Sequence, residues 1–231
     1  MAVTRRTTRF RTRRAMARKA VKIFLNAYAR AVSRKDPFRV VIPGGKTPAP
    51  FFKLLASRKE PDWSKVFFFF SDERLVGRKS AESNFRAADD LLFAAAGVPA
   101  SNILSVTVSK KGAAAAYEKA IRAHFGGREP VFDLVFLGLG ADGHTASLFP
   151  GGEALKERTK LAAPVTAPAG AAPRKRVTLT FKALNSAGTA VFLVSGKDKK
   201  PAFDALAGGA AKNIPAAGIK PSGKLYLLYS D

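Results

Sequence analysis

The chain has 231 residues, 47% of them apolar, no cysteine, and a formal charge of +23 from 40 Lys and Arg against 17 Asp and Glu. That length buries a sizeable core, and the missing cysteine excludes disulfides, thiolate metal sites and a cysteine nucleophile. No apolar run reaches the roughly 18 to 20 residues that cross a bilayer as a helix, so no membrane partner is expected.

Residues 1–35 carry twelve of the basic residues and no acid. Three readings fit this Arg- and Thr-rich start: an organelle presequence, a nucleic-acid arm, or an edge strand leading into the first helix. From Met16 onward Val21, Phe24, Leu25 and Tyr28 fall at helical spacing. No linker separates them from the basic segment, which favours an edge strand over a flexible arm for residues 1–12. Arg39 to Ile42 reads as a strand that stops at Pro43-Gly44-Gly45. Thr47 then serves as N-cap, with Pro48 at the first helical position of a helix reaching about Ser57. Val66 to Phe70 is a continuous apolar run, the pattern of a strand covered on both faces.

Ser83 caps a helix over Asn84 to Ala96. A short strand at Ile103 to Val106 and a helix from about Gly112 to His124 follow. Phe132 to Leu137 is a buried strand that ends abruptly at Gly138. Residues 161–175, rich in Ala and Pro, read as irregular. Arg176 to Thr180, Val191 to Val194 and Leu225 to Tyr229 read as strands, and Pro201 to Leu206 as a helix. Strands separated by helices of this length form βαβ units. The expectation is one α/β domain over residues 1–231, a mainly parallel Rossmann-like sheet with helices on both faces.

Two motifs imitate nucleotide sites. Gly138-Leu139-Gly140-Ala141-Asp142-Gly143 spells G-x-G-x-x-G after a strand, but Pro150, Gly151 and Gly152 interrupt the helix that should follow. No acid lies between Glu157 and Asp198 to hold a ribose. Gly45-Lys46-Thr47 resembles the end of a P-loop, yet Val40 stands where its first glycine is required. A glycine turn entering a helix still offers backbone N–H groups to a phosphate. Gly44, Gly45, Lys46 and Thr47 are therefore predicted to touch one.

Metal is disfavoured because the two histidines, His124 and His144, lie far apart. His124, at a helix end before Gly126-Gly127, reads as a surface or C-terminal helix histidine. No G-x-S-x-G elbow is present for a serine triad. Acid, base and cation chemistry remains. Asp72 and Arg74 follow the Val66–Phe70 strand directly, and Asp142 and His144 follow the Phe132–Leu137 strand. In a parallel sheet both clusters face the rim that carries Gly44 and Gly45, where open α/β sheets bind ligands.

At these residues the sequence resembles the 6-phosphogluconolactonase family, relatives of the glucosamine-6-phosphate deaminases. Pro43-Gly44-Gly45-Lys46-Thr47-Pro48 is similar to its G-G-S-T-P turn. Phe70-Ser71-Asp72-Glu73-Arg74 with Ser83-Asn84-Phe85-Arg86 is similar to W-G-D-E-R followed by S-N-Y/F-R. LGLGADGHTASLFPG nearly reproduces the family signature, and PRKRVTLT and Gly196-Lys197-Asp198-Lys199 follow in the family's order. Lys46 and Ser71 depart from it, replacing a serine and a glycine.

The resemblance implies hydrolysis of 6-phospho-D-glucono-1,5-lactone to 6-phospho-D-gluconate in the oxidative pentose phosphate pathway, with no metal or cofactor. It implies His144 as general base, because imidazole exchanges protons near neutral pH. Asp142 and Asp72 would join it, and Arg74 would bind substrate or developing oxyanion charge. Arg176 and Lys199 would hold the phosphate with the Gly44–Thr47 turn. A cytoplasmic monomer with no specific nucleic-acid partner is expected. Organelle import through the Arg-rich start is the alternative location. Two rival functions stay open: a glucosamine-6-phosphate deaminase-like enzyme, and a basic nucleic-acid-binding protein on the same fold. The deaminase signature places a glutamate five residues past the histidine, where this chain has Phe149.

Overall fold

The computed structural model describes residues 3–108, 112–209 and 214–231. Met1 and Ala2 of the basic start lie outside the described residues. The strands in chain order are β1 (Thr4–Phe10), β2 (Phe38–Ile42), β3 (Val66–Phe70), β4 (Asp72–Arg74) and β5 (Ile103–Leu104). They continue with β6 (Leu134–Leu137), β7 (Ala162–Thr166), β8 (Lys175–Leu179), β9 (Thr189–Ser195) and β10 (Lys224–Ser230). Seven of them form one sheet in the order β1-β10-β9-β6-β2-β3-β5, and every pair in it is parallel. The other three form a small antiparallel sheet, β4-β8-β7.

The strand sequences explain why both faces of the large sheet are covered. Successive side chains point to opposite faces, so Phe38, Val40 and Ile42 of β2 enter one core while Val41 enters the other. Leu134 and Phe136 of β6 join the first core, and Val135 and Leu137 the second. Helix α1 (Arg13–Ser33), helix α2 (Ala49–Ala56) and a helix beginning at Asn84 cover the first face. Phe24 of α1 sits at its centre, edge-on to Phe38 at 5.1 Å and stacked over Phe68 at 6.5 Å. Helices Ala113–His124, Phe181–Asn185 and Lys200–Gly208 cover the second face together with the small sheet. No helix among the described residues is long and apolar enough to cross a membrane.

The basic start forms the edge strand β1, paired to β10 from Thr4↔Lys224 to Phe10↔Ser230. Thr12 then caps α1 by accepting a hydrogen bond from the Ala15 N–H. Ser83 likewise accepts from the Arg86 N–H, and its helix widens to π geometry over Asp89–Phe93 before ending at Ala96.

Two expectations need correction. Residues 161–175 are not wholly irregular, because Ala162–Thr166 forms β7. Its Pro164 is tolerated because β7 is the outer strand of the small sheet, where a missing N–H is harmless. Thr47 does not cap α2. Pro48 precedes that helix without any side-chain cap, and Thr47 turns into a cleft instead. His124 ends its helix, as expected, and is half-buried there. Its ring packs on Phe67 at 4.6 Å and Phe69 at 5.3 Å, and its Nε2 accepts from the Arg39 Nε–H at 3.2 Å.

The topology positions a site. From β2 the chain crosses to β3 on one side, and from β6 it proceeds to β9 on the other, although β2 and β6 are neighbours. Such a reversal opens a crevice at the carboxyl ends of the strands. The segments that follow β2, β3, β6 and β9 all border it.

Burial, reinforced by the Arg39 charge, lowers the His124 pKa to about 4. Above about pH 6.5, the ordinary histidine value, folded and unfolded chains both hold it neutral. Between that value and about 4 only the unfolded chain takes the proton, so stability falls with falling pH. Denaturant melts of His124→Gln should show a shallower loss across this window than the wild type. Parallel curves would remove His124 from the acid response.

Candidate active site

The crevice is a cleft of about 320 Å³. Gly44, Gly45, Lys46 and Thr47 border it from the end of β2, and Asp72 and Arg74 from the end of β3. His144 enters from the loop after β6, Arg176 from β8 and Lys199 from the turn after β9. The site residues expected from the sequence therefore converge here. Asp142 stands just outside the lining and touches His144.

The loop after β6 is a tight turn. Gly143 N–H donates to the Gly140 carbonyl at 3.0 Å, and Gly140 N–H donates to the His144 carbonyl at 2.9 Å. Asp142 Oδ1 accepts from the His144 backbone N–H at 3.1 Å and lies 2.6 Å from its Nδ1. A carboxylate on Nδ1 fixes the proton there and leaves the Nε2 lone pair as the basic atom. Gly140 makes this possible, since a Cβ there would overlap both His144 Nδ1 and Asp142 Oδ1. The opposite side of the imidazole rests against Phe149, with ring centres 4.6 Å apart.

Asp72 and Glu73 are buried, at 7% and 2% exposure. The chain passes at Ser71 from one sheet to the other, with Ser71 N–H donating to Ile42 and Ser71 carbonyl accepting from Leu179. The cluster expected after β3 is thus itself a strand, β4. Asp72 Oδ2 accepts from Ser147 Oγ at 2.6 Å, and its carbonyl accepts from Asn84 Nδ2 at 2.8 Å. Glu73 accepts from the backbone N–H groups of Arg74, Asn84 and Phe85 at 2.7 to 2.8 Å. Burial pushes the Glu73 carboxyl above its ordinary value, and those N–H groups oppose the shift.

Four cations border the cleft: Lys46, Arg74, Arg176 and Lys199. Arg74 and Arg176 lie directly opposite each other on β4 and β8. Like charges in that relation destabilise a sheet unless something neutralises them. Arg176 is held by the carbonyls of Pro173 at 2.8 Å and Ala171 at 2.9 Å, with its guanidinium 5.5 Å over the Phe149 ring. Burial, then the neighbouring Arg74 charge, pulls its pKa below the ordinary value, against the attraction of Asp72. Arg74 donates to the Glu82 carbonyl at 2.8 Å, while its buried Nε has no protein partner. Two preorganised guanidinium groups with lysines around them make a receptor for a doubly charged anion.

Ser147 and Asn84 escaped the sequence reading as site residues. Asn84 was visible only as part of a family block, and its fit depends on Gly44, where a Cβ would overlap the amide. Ser147 carries no local signal, because its partner Asp72 is 75 residues away. Ala146 beside it has φ +50°, a left-handed conformation uncommon outside glycine, and borders the cleft. Among the described residues no cluster of three or more His, Asp or Glu could hold a metal.

A family profile described as glucosamine-6-phosphate isomerases/6-phosphogluconolactonase matches residues 11–227. The chain is 40% identical over 170 residues to the 6-phosphogluconolactonase of Thermotoga maritima, covering 73% of this chain and 74% of that one. It is 33% identical over 222 residues to that of Nostoc sp., covering 93% and 90%. The solved structure of 6-phosphogluconolactonase from Thermotoga maritima superposes with a TM-score of 0.88 at 30% identity, covering 99% of this chain and 100% of that one.

Inorganic phosphate should raise the melting temperature of the wild type in a saturable way. Arg176→Ala should weaken that effect at least about tenfold, the size expected for losing charge-assisted hydrogen bonds. An unchanged phosphate titration would exclude Arg176 from the anion site.

Proposed function

The chain belongs to the 6-phosphogluconolactonase family of enzymes, and from that premise we propose that it hydrolyses 6-phospho-D-glucono-1,5-lactone with His144 as general base. The observation that carries this reading is the His144–Asp142 pair, which faces a cleft whose other wall holds Arg74 and Arg176 in cross-strand register. A base on one side and an anion receptor on the other suit a substrate with an electrophilic carbonyl and a phosphate.

In the first step His144 Nε2 takes a proton from water as the water oxygen bonds to the lactone carbonyl carbon. The carbonyl electrons move onto oxygen, and Arg74 offsets that charge. Collapse of the tetrahedral intermediate breaks the bond to the ring oxygen, and the imidazolium returns its proton to that leaving oxygen. The resulting carboxylic acid ionises to 6-phosphogluconate. Asp142 keeps the correct tautomer and stabilises the imidazolium between the two transfers. No redox or metal step is needed for this balance.

The phosphate is assigned to Arg176 and Lys199, with the N–H groups of the Gly44–Thr47 turn and Lys46 at its exposed edge. Asp72, fixed by Ser147 and Asn84, supplies an acceptor for sugar hydroxyls and balances part of the positive charge. Phe149 argues against the deaminase reading, because it places a hydrocarbon wall 4.6 Å from the imidazole where a second proton-transfer group would be required. We further assign the protein to the cytoplasm as a monomer.

A coupled assay on freshly generated lactone, corrected for spontaneous hydrolysis, tests the proposal. His144→Ala should lower kcat by about 10² to 10⁴, the usual contribution of a general base, with the melting temperature retained. Arg176→Ala and Lys199→Ala should act mainly on KM. Turnover in His144→Ala equal to wild type would overturn the base assignment, and wild-type KM in both cation variants would overturn the phosphate assignment.

A further inference from the structure

Seven cations of β1, α1 and the turn between them fall into two groups. Arg5, Arg9 and Arg13 are used by the fold: they donate to the Leu206 carbonyl, to Asp204 and to Ser195 Oγ, respectively. Arg11, Arg14, Arg18 and Lys22 are exposed, and none has a hydrogen-bond or ion-pair partner among the described residues. Arg14, Arg18 and Lys22 form an i, i+4, i+8 row, so successive charges stand about 6 Å apart along the axis. No acid lies anywhere in residues 1–35 to offset them.

Local physics opposes this arrangement. Like charges at i, i+4 repel, and cations in the first turn of a helix face its positive dipole end. The first turn of α1 contains no acid. A row that weakens its own helix and contacts nothing in the fold is matched to something outside it. Arginine outnumbers lysine in the row, and its planar fork can engage two phosphate oxygens at once. Among the described residues no aromatic side chain is exposed, and the exposed large apolar residues are Val3 and Val131. Single strands and membranes both want such groups, for base stacking or for insertion. The phosphate backbone of a duplex can be engaged by cations alone, with no such group.

We propose that the outer face of α1, carrying Arg14, Arg18 and Lys22, together with Arg11 in the turn before it, is a docking surface for the backbone of double-stranded nucleic acid, engaged without sequence readout. It is independent of the cleft chemistry, since none of the four residues borders the cleft.

The test is fluorescence anisotropy of a fluorescein-labelled 20-base-pair DNA duplex titrated with the full chain at several KCl concentrations. Binding should be in the micromolar range at low salt and weaken steeply as salt rises. The variant Arg11→Gln, Arg14→Gln, Arg18→Gln, Lys22→Gln should reduce the slope of log K against log salt by about 3 to 4, nearly one per lost phosphate contact. Its helix content and lactone turnover should match the wild type. A control variant, Lys119→Gln, Lys160→Gln, Lys220→Gln, removes three exposed charges elsewhere and should leave the slope unchanged. No duplex binding at low salt would overturn the proposal. So would an equal loss of slope in the control, which marks diffuse charge attraction, or tighter binding to phosphatidylglycerol vesicles than to the duplex.

Discussion

Two adjacent buried carboxylates, Asp72 and Glu73, hold the site together. Glu73 takes up the free N–H groups at the start of the helix beginning at Asn84, and Asp72 reaches across to Ser147 in the loop that carries His144. Asn84 closes the arrangement by donating to the Asp72 carbonyl while packing on Gly44. One dipeptide at the end of β3 thus ties together the phosphate turn, the histidine loop and the small sheet. Such buried acids are tolerated only when their oxygens are satisfied, and stranding the donors costs roughly 1 to 3 kcal/mol per group. The dipeptide also lies where the chain leaves one sheet for the other, so the two arginines of the small sheet are set against the rim of the large one.

Charge is distributed to match. The chain as a whole is strongly basic, yet the cleft contains a buried aspartate beside its four cations. Asp72 opposes the effect of burial on Arg176, and the Phe149 ring contacts both its guanidinium, at 5.5 Å, and the His144 imidazole, at 4.6 Å. A positive field around the cleft also speeds the arrival of small anionic substrates.

Much of this was legible in the sequence because its causes are local. Continuous apolar runs such as Val66–Phe70 announced strands covered on both faces, and breaks at Gly44 and Gly138 announced strand ends. Chemistry-bearing residues placed directly after those strands had to meet at one rim. What escaped depends on contacts distant in sequence. The β7 strand was hidden by Pro164, which only an outer strand tolerates. The packing of the half-buried His124 ring on Phe67 and Phe69, some 55 residues earlier, is encoded by no helical pattern. Ser147 gained significance only when the fold brought Asp72 to it. Thr47 illustrates the converse: a good local capping signal gave way because the cleft claimed the side chain.

The central claim is that the Asp142 carboxylate fixes the His144 tautomer and thereby makes Nε2 the base. Turnover of freshly generated lactone by wild type and Asp142→Asn tests it most directly. In the variant kcat should fall well below the wild type, because an amide neither selects the Nδ1–H tautomer nor stabilises the imidazolium formed during the reaction, while the melting temperature is retained. Equal kcat in the two proteins would contradict that role for Asp142.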